Sequence, residues 1–406
     1  METYLVGGAV RDALLGRAVK ERDWVVVGAT ATEMEAAGFR RVGKDFPVFL
    51  HPETGEEYAL ARTERKTGAG YHGFDVYAGA DVPLEDDLQR RDLTVNAIAQ
   101  TTTGELIDPW GGQADIAARR LRHVSAAFRE DPLRVLRTAR FAASLATYGF
   151  TIAADTRELM AAMVSDGELR ALVPERVWKE IAKALCTERP DLFVAALRDC
   201  GALAQVLPEV DQLFGVPQPA QWHPEIDTGE HVLLTLRAAA KLTASLPVRF
   251  AALVHDLGKG ATPPAEWPAH RGHEQRGLAL IRTLCQRLAV PNDCRDMALQ
   301  VAQFHTHVHR AAELRPATLL KVLEAVDAFR RPERFEEFLL GCEADARGRA
   351  GLDDRPYPQA ALFRSACAAA KAVTTEPLVE AGLQGPAFGD ALRKARVSAI
   401  RRAVAG

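Results

Sequence analysis

The chain lacks any apolar run that approaches the roughly 18 residues of a membrane-crossing helix, so no transmembrane segment is expected. Its six cysteines, at positions 186, 200, 285, 294, 342 and 367, form no Cys-x-x-Cys pair. They read as reduced, buried or incidental thiols of a cytosolic protein, with a Cys285–Cys294 bridge the one pairing left open. Charge of one sign is also lacking: Lys and Arg total 51 against 54 Asp and Glu, a net of −3, so the molecule is not a polycation. Any nucleic acid must be met by basic residues gathered on one face. Hydrophobic residues at 48% and charged residues at 26% exclude disordered, collagen-like and supercharged classes. Internal repeats and low-complexity tracts are absent. Met1-Glu2-Thr3-Tyr4-Leu5 shows no basic flank, long apolar region or cleavage site, so a cytoplasmic location is expected. At roughly 150 residues per domain, 406 residues make two or three domains.

What is present changes character near residue 115. Before it, strand and helix signals mix. Tyr4-Leu5-Val6 is a short strand leading into Gly7-Gly8, and Ala9 to Leu15 reads as a helix. Trp24-Val25-Val26-Val27 is a β-branched run, hence a buried strand. Val48-Phe49-Leu50 and Tyr58-Ala59-Leu60-Ala61 are strands around a Pro52-Glu53-Thr54-Gly55 turn. Asn96 and Ala97 favour helix over 93–98. Beyond it, apolar residues recur at helical spacing, as in Leu133, Leu136, Ala139, Phe141 and Leu145, between Pro and Gly stops. Phe214 to Asp227 (FGVPQPAQWHPEID) reads as a linker, and the last helical stretch is basic. A small α/β head thus precedes a long all-α remainder.

Four short segments carry chemistry. In Gly7-Gly8-Ala9-Val10-Arg11-Asp12, two glycines between strand and helix let a phosphate approach the backbone, and Arg11 adds a guanidinium. A plain strand-to-helix turn would also need glycine. In Glu21-Arg22-Asp23, residues two apart on a strand point the same way, so two carboxylates could hold a divalent cation, and a third acid, Glu57, heads the strand Glu57-Tyr58-Ala59-Leu60-Ala61. A solvated acidic loop is the bland alternative. Arg90-Arg91-Asp92-Leu93-Thr94-Val95-Asn96 supplies Arg91 for phosphate charge, Asp92 to orient it and Asn96 for a sugar hydroxyl, unless it is only a salt-bridged surface helix. In Glu130-Asp131-Pro132-Leu133-Arg134-Val135-Leu136-Arg137, residues Asp131, Arg134 and Arg137 fall three apart and would share a helix face. A carboxylate accepts and a guanidinium donates, which suits a base edge with an amino donor and a ring-nitrogen acceptor. Cytosine and adenine have such an edge; uracil and guanine do not. An intrahelical ion-pair ladder would use the same residues.

In this order and spacing, GGAVRD, the paired acids, RRDLTVNAIA and EDPLRVLRTARF resemble the class II tRNA nucleotidyltransferases, the bacterial CCA-adding enzymes. The likeness covers nearly the whole chain. It is especially close to the proteobacterial form with an appended HD domain, through YLVGGAVRDALLGR, DFPVFLHPETGEEYALARTERKTG and WHPEIDTGEH. It implies an α/β nucleotidyltransferase head (a small mixed sheet with helices) followed by a mainly α-helical remainder including an HD domain. The parts would be a head over 1–115, a helical neck with the base-reading helix over 116–215, an HD phosphohydrolase domain over 228–330 and a helical tRNA-binding tail over 331–406. It also implies that C, C and A are added to tRNA 3′ ends from CTP and ATP without a nucleic-acid template. Gly8 and Arg11 would bind the triphosphate, Glu21 and Asp23 would hold Mg²⁺ with Glu57 as a third acid, and Arg91, Asp92, Asn96, Arg137 and Arg140 would serve the incoming nucleotide. Asp131 and Arg134 would select C and A. The family usually has Asp-x-Asp where this chain has Glu21-Arg22-Asp23. The extra methylene moves the ligand oxygens by more than about an ångström. Because Mg²⁺ demands near-ideal geometry, weakened Mg²⁺ use, partly relieved by Mn²⁺, is expected.

The second half carries most of the histidines. His231 opens a helix, an apolar run ends in His255-Asp256, and His270, His273, His305, His307 and His309 follow. An adjacent His-Asp pair offers nitrogen and oxygen ligands at one point. Any single one of these could be an ordinary core histidine. The set resembles the HD phosphohydrolase superfamily, which implies 2′-phosphatase or 2′,3′-cyclic phosphodiesterase activity with Ni²⁺ or another transition metal. His231, His255 and Asp256 are the best-supported ligands and His273 and His305 weaker ones, while Thr306 replaces an acid common in related chains. Helical basic positions Arg119, Arg120, Arg122, Arg393, Lys394, Arg396, Arg401 and Arg402 would track the tRNA backbone by shape. No membrane partner is expected, and the protein would be a monomer or homodimer. Bacterial poly(A) polymerase shares the head motifs and is the nearest competitor. A weakened tRNA-binding protein with only the HD site active is another.

Overall fold

The computed structural model describes residues 1–42, 48–66 and 74–404; residues 45–47 and 67–68 of the DFPVFLHPETGEEYALARTERKTG stretch lie outside them. The chain forms two compact units, one of 1–181 with 196–206 and one of 182–195 with 207–406.

The first unit opens with the strands β1 (Glu2–Val6), β2 (Asp23–Val27), β3 (Arg40–Arg41), β4 (Val48–Leu50), β5 (Glu57–Leu60), β6 (Thr63–Lys66), β7 (Phe74–Tyr77), β8 (Ala99–Thr101) and β9 (Leu106–Ile107). Seven of them make one sheet in the order β3-β4-β5-β2-β1-β8-β9, while β6 and β7 pair separately. Among the described residues, β2 and β5 alone run parallel within the large sheet, and its other pairs are antiparallel. The valine run of β2 is hydrophobic on both sides because both sheet faces are covered. Val25 packs with Val6, Leu84 and Leu88, and Val26 packs with Met34, Phe49 and Leu60 on the other face. The helix Gly8–Leu14 follows β1 directly, and Gly7 takes φ 71° at the junction, a left-handed value that favours glycine. The segment 93–98 departs from the helical expectation: Thr94–Asn96 is a single 3₁₀ turn, after which the chain enters β8. Helix Leu133–Ser144 then buries Leu133, Val135, Leu136 and Ala139.

The second unit is helical. Helix Leu246–Val254 is apolar apart from Arg249, whose guanidinium donates to the carbonyls of Leu185, Thr187, Ala240 and Thr243, and its residues 248–254 are buried. It packs against helices Thr228–Leu242, Asn292–His309 and Pro332–Arg347. This apolar rod delivers His255 and Asp256 into the interior, where each is 1% exposed. The FGVPQPAQWHPEID segment is not a bare linker. Pro217 bridges to Asp227, the Gln218 amide donates to the Ile226 carbonyl, and Gln218 and His223 are buried. Cys285 and Cys294 are free thiols whose pKa burial pushes up to about 11 and about 12. The bridge left open by their spacing is therefore not made.

Two candidate functional sites

The first site is assembled at one end of the large sheet. Val6 of β1 stands opposite Asp23 of β2, and Asp23 opposite Glu57 of β5. Cross-strand partners share a sheet face, so Asp23 and Glu57 present their carboxylates together. The Gly7-Gly8 turn leaves β1 at the same level. Glu21 precedes β2 instead of lying in it, so the strand periodicity expected for Glu21 and Asp23 does not apply. The two acids still feel each other: desolvation raises the Asp23 pKa, Arg91 opposes this and Glu21 adds to it. Among the described residues, Glu21, Asp23 and Glu57 do not close into a compact three-ligand shell. An open set of one or two carboxylates suits Mg²⁺, which keeps waters and takes substrate phosphate oxygens.

Arg91 lies against the turn, its Nη1 3.1 Å from where a Cβ on Gly7 would stand. It donates to Asp87 at 3.0 Å, while its own Nε is buried without a partner. Asp87, not Asp92, orients Arg91. Asp87 is 1% exposed, and although burial works against its charge, Arg91 and Arg90 hold its carboxyl below the usual range. Asp92 instead accepts from Arg137 Nε at 2.8 Å and from Asn96 at 3.0 Å. Asn96 accepts from Arg11 at 2.6 Å. Buried Asn96 therefore joins Arg11 to Asp92 rather than facing a sugar. The extra residue in this network is Phe141: the guanidinium carbons of Arg140, Arg11 and Arg137 lie 4.2, 5.2 and 5.8 Å from its ring centroid. Glu180 accepts from Arg140.

The base-reading pair is arranged differently from expectation. Asp131 has extended backbone and stands outside helix Leu133–Ser144, so it does not share a helix face with Arg134. Its carboxylate accepts from the Leu133 amide at 3.0 Å and from Arg176 at 2.8 Å. Buried Arg134 donates to the carbonyls of Ala127 and Arg90. Contact with a base would require exchange of these partners. The basic positions near residue 120 are not helical either. Arg120–Leu121 is a strand, Arg119 lies over Phe150, and Arg122 pairs with Asp115 and Asp155. In helix Gly385–Val404, Arg393 pairs with Glu324 and Arg396 covers Phe329, while Lys394, Arg401 and Arg402 are exposed.

The second site is in the helical unit. His231, His255 and Asp345 can offer ligand atoms within 4.8 Å of one another, as can Asp256, His273 and His305. All six are buried. His255 Nε2 and Asp256 Oδ1 have no hydrogen-bond partner, one in each of these ligand groups, and Asp256 Oδ1 lies 3.4 Å from His273 Nε2 and 3.7 Å from His305 Nε2; buried polar atoms orphaned in this way fit a cation. Burial pushes the imidazoles of His273 and His305 down, which preserves neutral nitrogen lone pairs for a metal. Burial opposes charge on Asp256, yet His255 and Lys259 hold its carboxyl well below the usual range. Asp345 is held low in the same way by His309 and His255. Sequence reasoning missed Asp345, Glu225 and Lys259, and named His309 without giving it a role. Asp345 comes from helix Pro332–Arg347, in the stretch read as tail, and accepts from His309 Nε2 at 2.6 Å. Glu225 comes from the stretch read as linker and lies 2.9 Å from His231 Nδ1 and 3.0 Å from His223 Nδ1. Only WHPEID carried a signal for Glu225. Asp345 is one acid among many in an ordinary helical pattern. Thr306 donates to Glu274 at 2.9 Å.

Comparison with known proteins finds three family matches. Residues 3–122 match the poly A polymerase head domain, 149–214 the probable RNA and SrmB-binding site of polymerase A, and 228–331 the HD domain. The fold and sites thus define a nucleotidyltransferase head joined to an HD domain, both of metal-dependent families. A Multifunctional CCA protein of Nitrosococcus oceani is 62% identical over 404 residues, covering 100% of this chain and 99% of the relative. The chain belongs to the multifunctional CCA protein family. Among solved structures, a CCA-adding enzyme with ATP has a TM-score of 0.67 at 18% identity, covering 98% of this chain and 86% of that one. A Thermotoga maritima CCA-adding enzyme complexed with tRNA-CCA has 0.64 at 17%, covering 100% and 91%. At that identity the likeness concerns the fold. No described helix is long and apolar enough to cross a membrane.

Proposed function

We propose that the chain adds C, C and A to the 3′ end of tRNA from CTP and ATP in the cytoplasm, and that its second site hydrolyses 2′-phosphate and 2′,3′-cyclic phosphate esters. The observation that supports the first activity most is the alignment of Val6, Asp23 and Glu57 across three strands, with Arg91 against the Gly7-Gly8 turn beside them. Asp23, with Glu21 and Glu57, would hold Mg²⁺, which when bound favours attack of the tRNA 3′-hydroxyl on the α-phosphate. Arg91, aimed by Asp87, neutralises phosphate charge. Gly8 leaves room for the triphosphate beside Arg11. Asp92, Asn96 and Phe141 hold Arg11, Arg137 and Arg140 as one set of donors for the nucleotide, so they need little reorganisation as pyrophosphate leaves. Asp131 and Arg134 select the base after trading their present partners for its edge, which makes selection an induced fit.

At the second site, His231, His255, Asp256 and Asp345, with His273 and His305, would hold Ni²⁺ or another transition metal, whose Lewis acidity favours attack of water on a phosphate ester. We assign residues 1–115 to the head, 116–215 to the neck, 228–330 to the HD domain and 331–406 to the tail, with Asp345 lent by the tail to the HD site.

The test supplies tRNA ending before the CCA sequence, after C or after CC, with each nucleoside triphosphate alone and together. CTP alone should add C only up to CC, and ATP should add one A only after CC. A long A-tail from ATP alone would replace the proposal with poly(A) synthesis. Tight tRNA binding without incorporation would leave the second site as the only active one.

A further inference from the structure

Gln218 lies in the stretch expected to be a linker, yet it is 3% exposed and lines the cavity over the buried histidines. Its place is fixed from three directions. Its backbone amide donates to the Ile226 carbonyl at 2.7 Å. The carbonyl just before it, on Pro217, accepts from His270 Nε2 at 2.7 Å. Its own Oε1 accepts from Lys259 Nζ at 2.5 Å. Ile226 and His270 hold their positions with φ of 61° and 47°, left-handed values that are strained for residues other than glycine. The loop keeps Gln218 where it is at a cost to its own backbone.

Lys259 decides which way the side-chain amide faces. An ammonium group donates and never accepts, so the Gln218 atom beside it is the oxygen, and the NH₂ is turned away from it. That nitrogen, Nε2, is buried and has no hydrogen-bond partner among the described residues. A buried donor without an acceptor is costly and needs an explanation in the ligand that the site receives. Lys259 also joins the amide to the metal-ligand groups. Its Nζ lies 2.6 Å from Asp256 Oδ2, and Asp256 is grouped with His273 and His305. The orphaned donor thus stands one lysine away from a ligand carboxylate, on the wall of the same cavity. The partner it lacks is an acceptor oxygen held next to the metal-ligand groups, and an ionised phosphoryl group brings such oxygens.

Resting on the phosphohydrolase reading of this site, we propose that Gln218 is a further catalytic residue of it: Nε2 donates a hydrogen bond to a non-bridging oxygen of the bound phosphoryl group. Lys259 is the positioning residue that keeps the amide in this orientation. A hydrogen bond to a charged oxygen changes binding by about tenfold to a hundredfold.

The test uses two variants of the full chain. Gln218→Met fills similar space and removes the donor. Gln218→Glu keeps an oxygen for Lys259 and puts an acceptor in place of the donor. Each chain is titrated with Ni²⁺ and then, loaded with Ni²⁺, with inorganic phosphate, both by calorimetry. Hydrolysis of p-nitrophenyl phosphate and of adenosine 2′,3′-cyclic phosphate is followed in parallel. Gln218→Met should bind Ni²⁺ within about threefold of the parent and bind phosphate about tenfold to a hundredfold more weakly, with kcat/KM on both esters lowered by a similar factor. Gln218→Glu should lose at least as much phosphate affinity. Parental phosphate affinity in either variant overturns the proposal. So does an equal loss of Ni²⁺ and phosphate binding in both, which would make Gln218 a support of the ligand groups only. If Gln218→Met does not fold, Gln218→Glu, which retains the Lys259 contact, decides by the same titrations. If the parent hydrolyses neither ester with Ni²⁺, Co²⁺ or Mn²⁺, the phosphohydrolase reading fails, and the phosphate titrations alone then decide whether Gln218 meets a phosphoryl oxygen.

Discussion

Glu21 is the residue whose chemistry is most exposed to test. It lies before β2, outside the regular strand, and its carboxylate is one methylene longer than that of an aspartate. Glu21→Asp should raise the rate of CTP incorporation in Mg²⁺ several-fold and narrow the advantage of Mn²⁺, read in single-turnover assays. An equal rate in Mg²⁺ would show that the longer side chain carries no penalty. Asp92 makes a different prediction, about stability. Burial opposes its charge, but Arg137 and Asn96 hold its folded-state pKa well below the ordinary value. The stabilisation is thus complete above the unfolded value of about 4 and is lost as pH falls through the folded one. Asp92→Asn should cost about 3 kcal/mol in urea unfolding at pH 7, because Arg137 loses its buried partner. The difference between variant and parent should shrink below about pH 4.

Helices and strands act here by carrying residues to places that the sequence alone does not reveal. β2 brings Asp23 level with Glu57 because it runs parallel to β5, and the apolar helix Leu246–Val254 ends where its last turn places His255 and Asp256 inside the unit. The loop before helix Thr228–Leu242 acts as an element of the site in its own right. The Nδ1 proton of His231 faces both Glu225 at 2.9 Å and the Gly348 carbonyl at 3.0 Å, which leaves Nε2 as the metal-facing nitrogen. Glu225→Gln should weaken Ni²⁺ binding by about tenfold to a hundredfold in calorimetric titration. Nucleotide addition should stay within about twofold of the parent. Ni²⁺ affinity equal to that of the parent would show that the Gly348 carbonyl orients His231 without help.

At the scale of the molecule, the two sites belong to different compact units, so each should be removable without the other. The double variant His255→Ala/Asp256→Ala should lose phosphohydrolase activity completely and keep CCA addition within about twofold. Loss of both activities would show that the second unit supports the first reaction.

Much of the protein was legible in its sequence because its motifs are local. The glycine turn, the valine strand and the His-Asp doublet each need only a few consecutive residues, and hydrophobic periodicity separates the α/β head from the helical remainder; the strand pairing expected of Glu21 and Asp23 does not hold, because Glu21 lies before β2. Partnerships were not legible. Arg137 is 45 residues from Asp92, and His231 is 114 from Asp345. Asp131 looked like a helical neighbour of Arg134, but its extended backbone put it outside the helix. Sequence alone determined which donors, acceptors and ligands this chain possesses. Tertiary structure decided which of them meet, because a buried charge is tolerated only beside its counter-group and the fold alone chooses that neighbour.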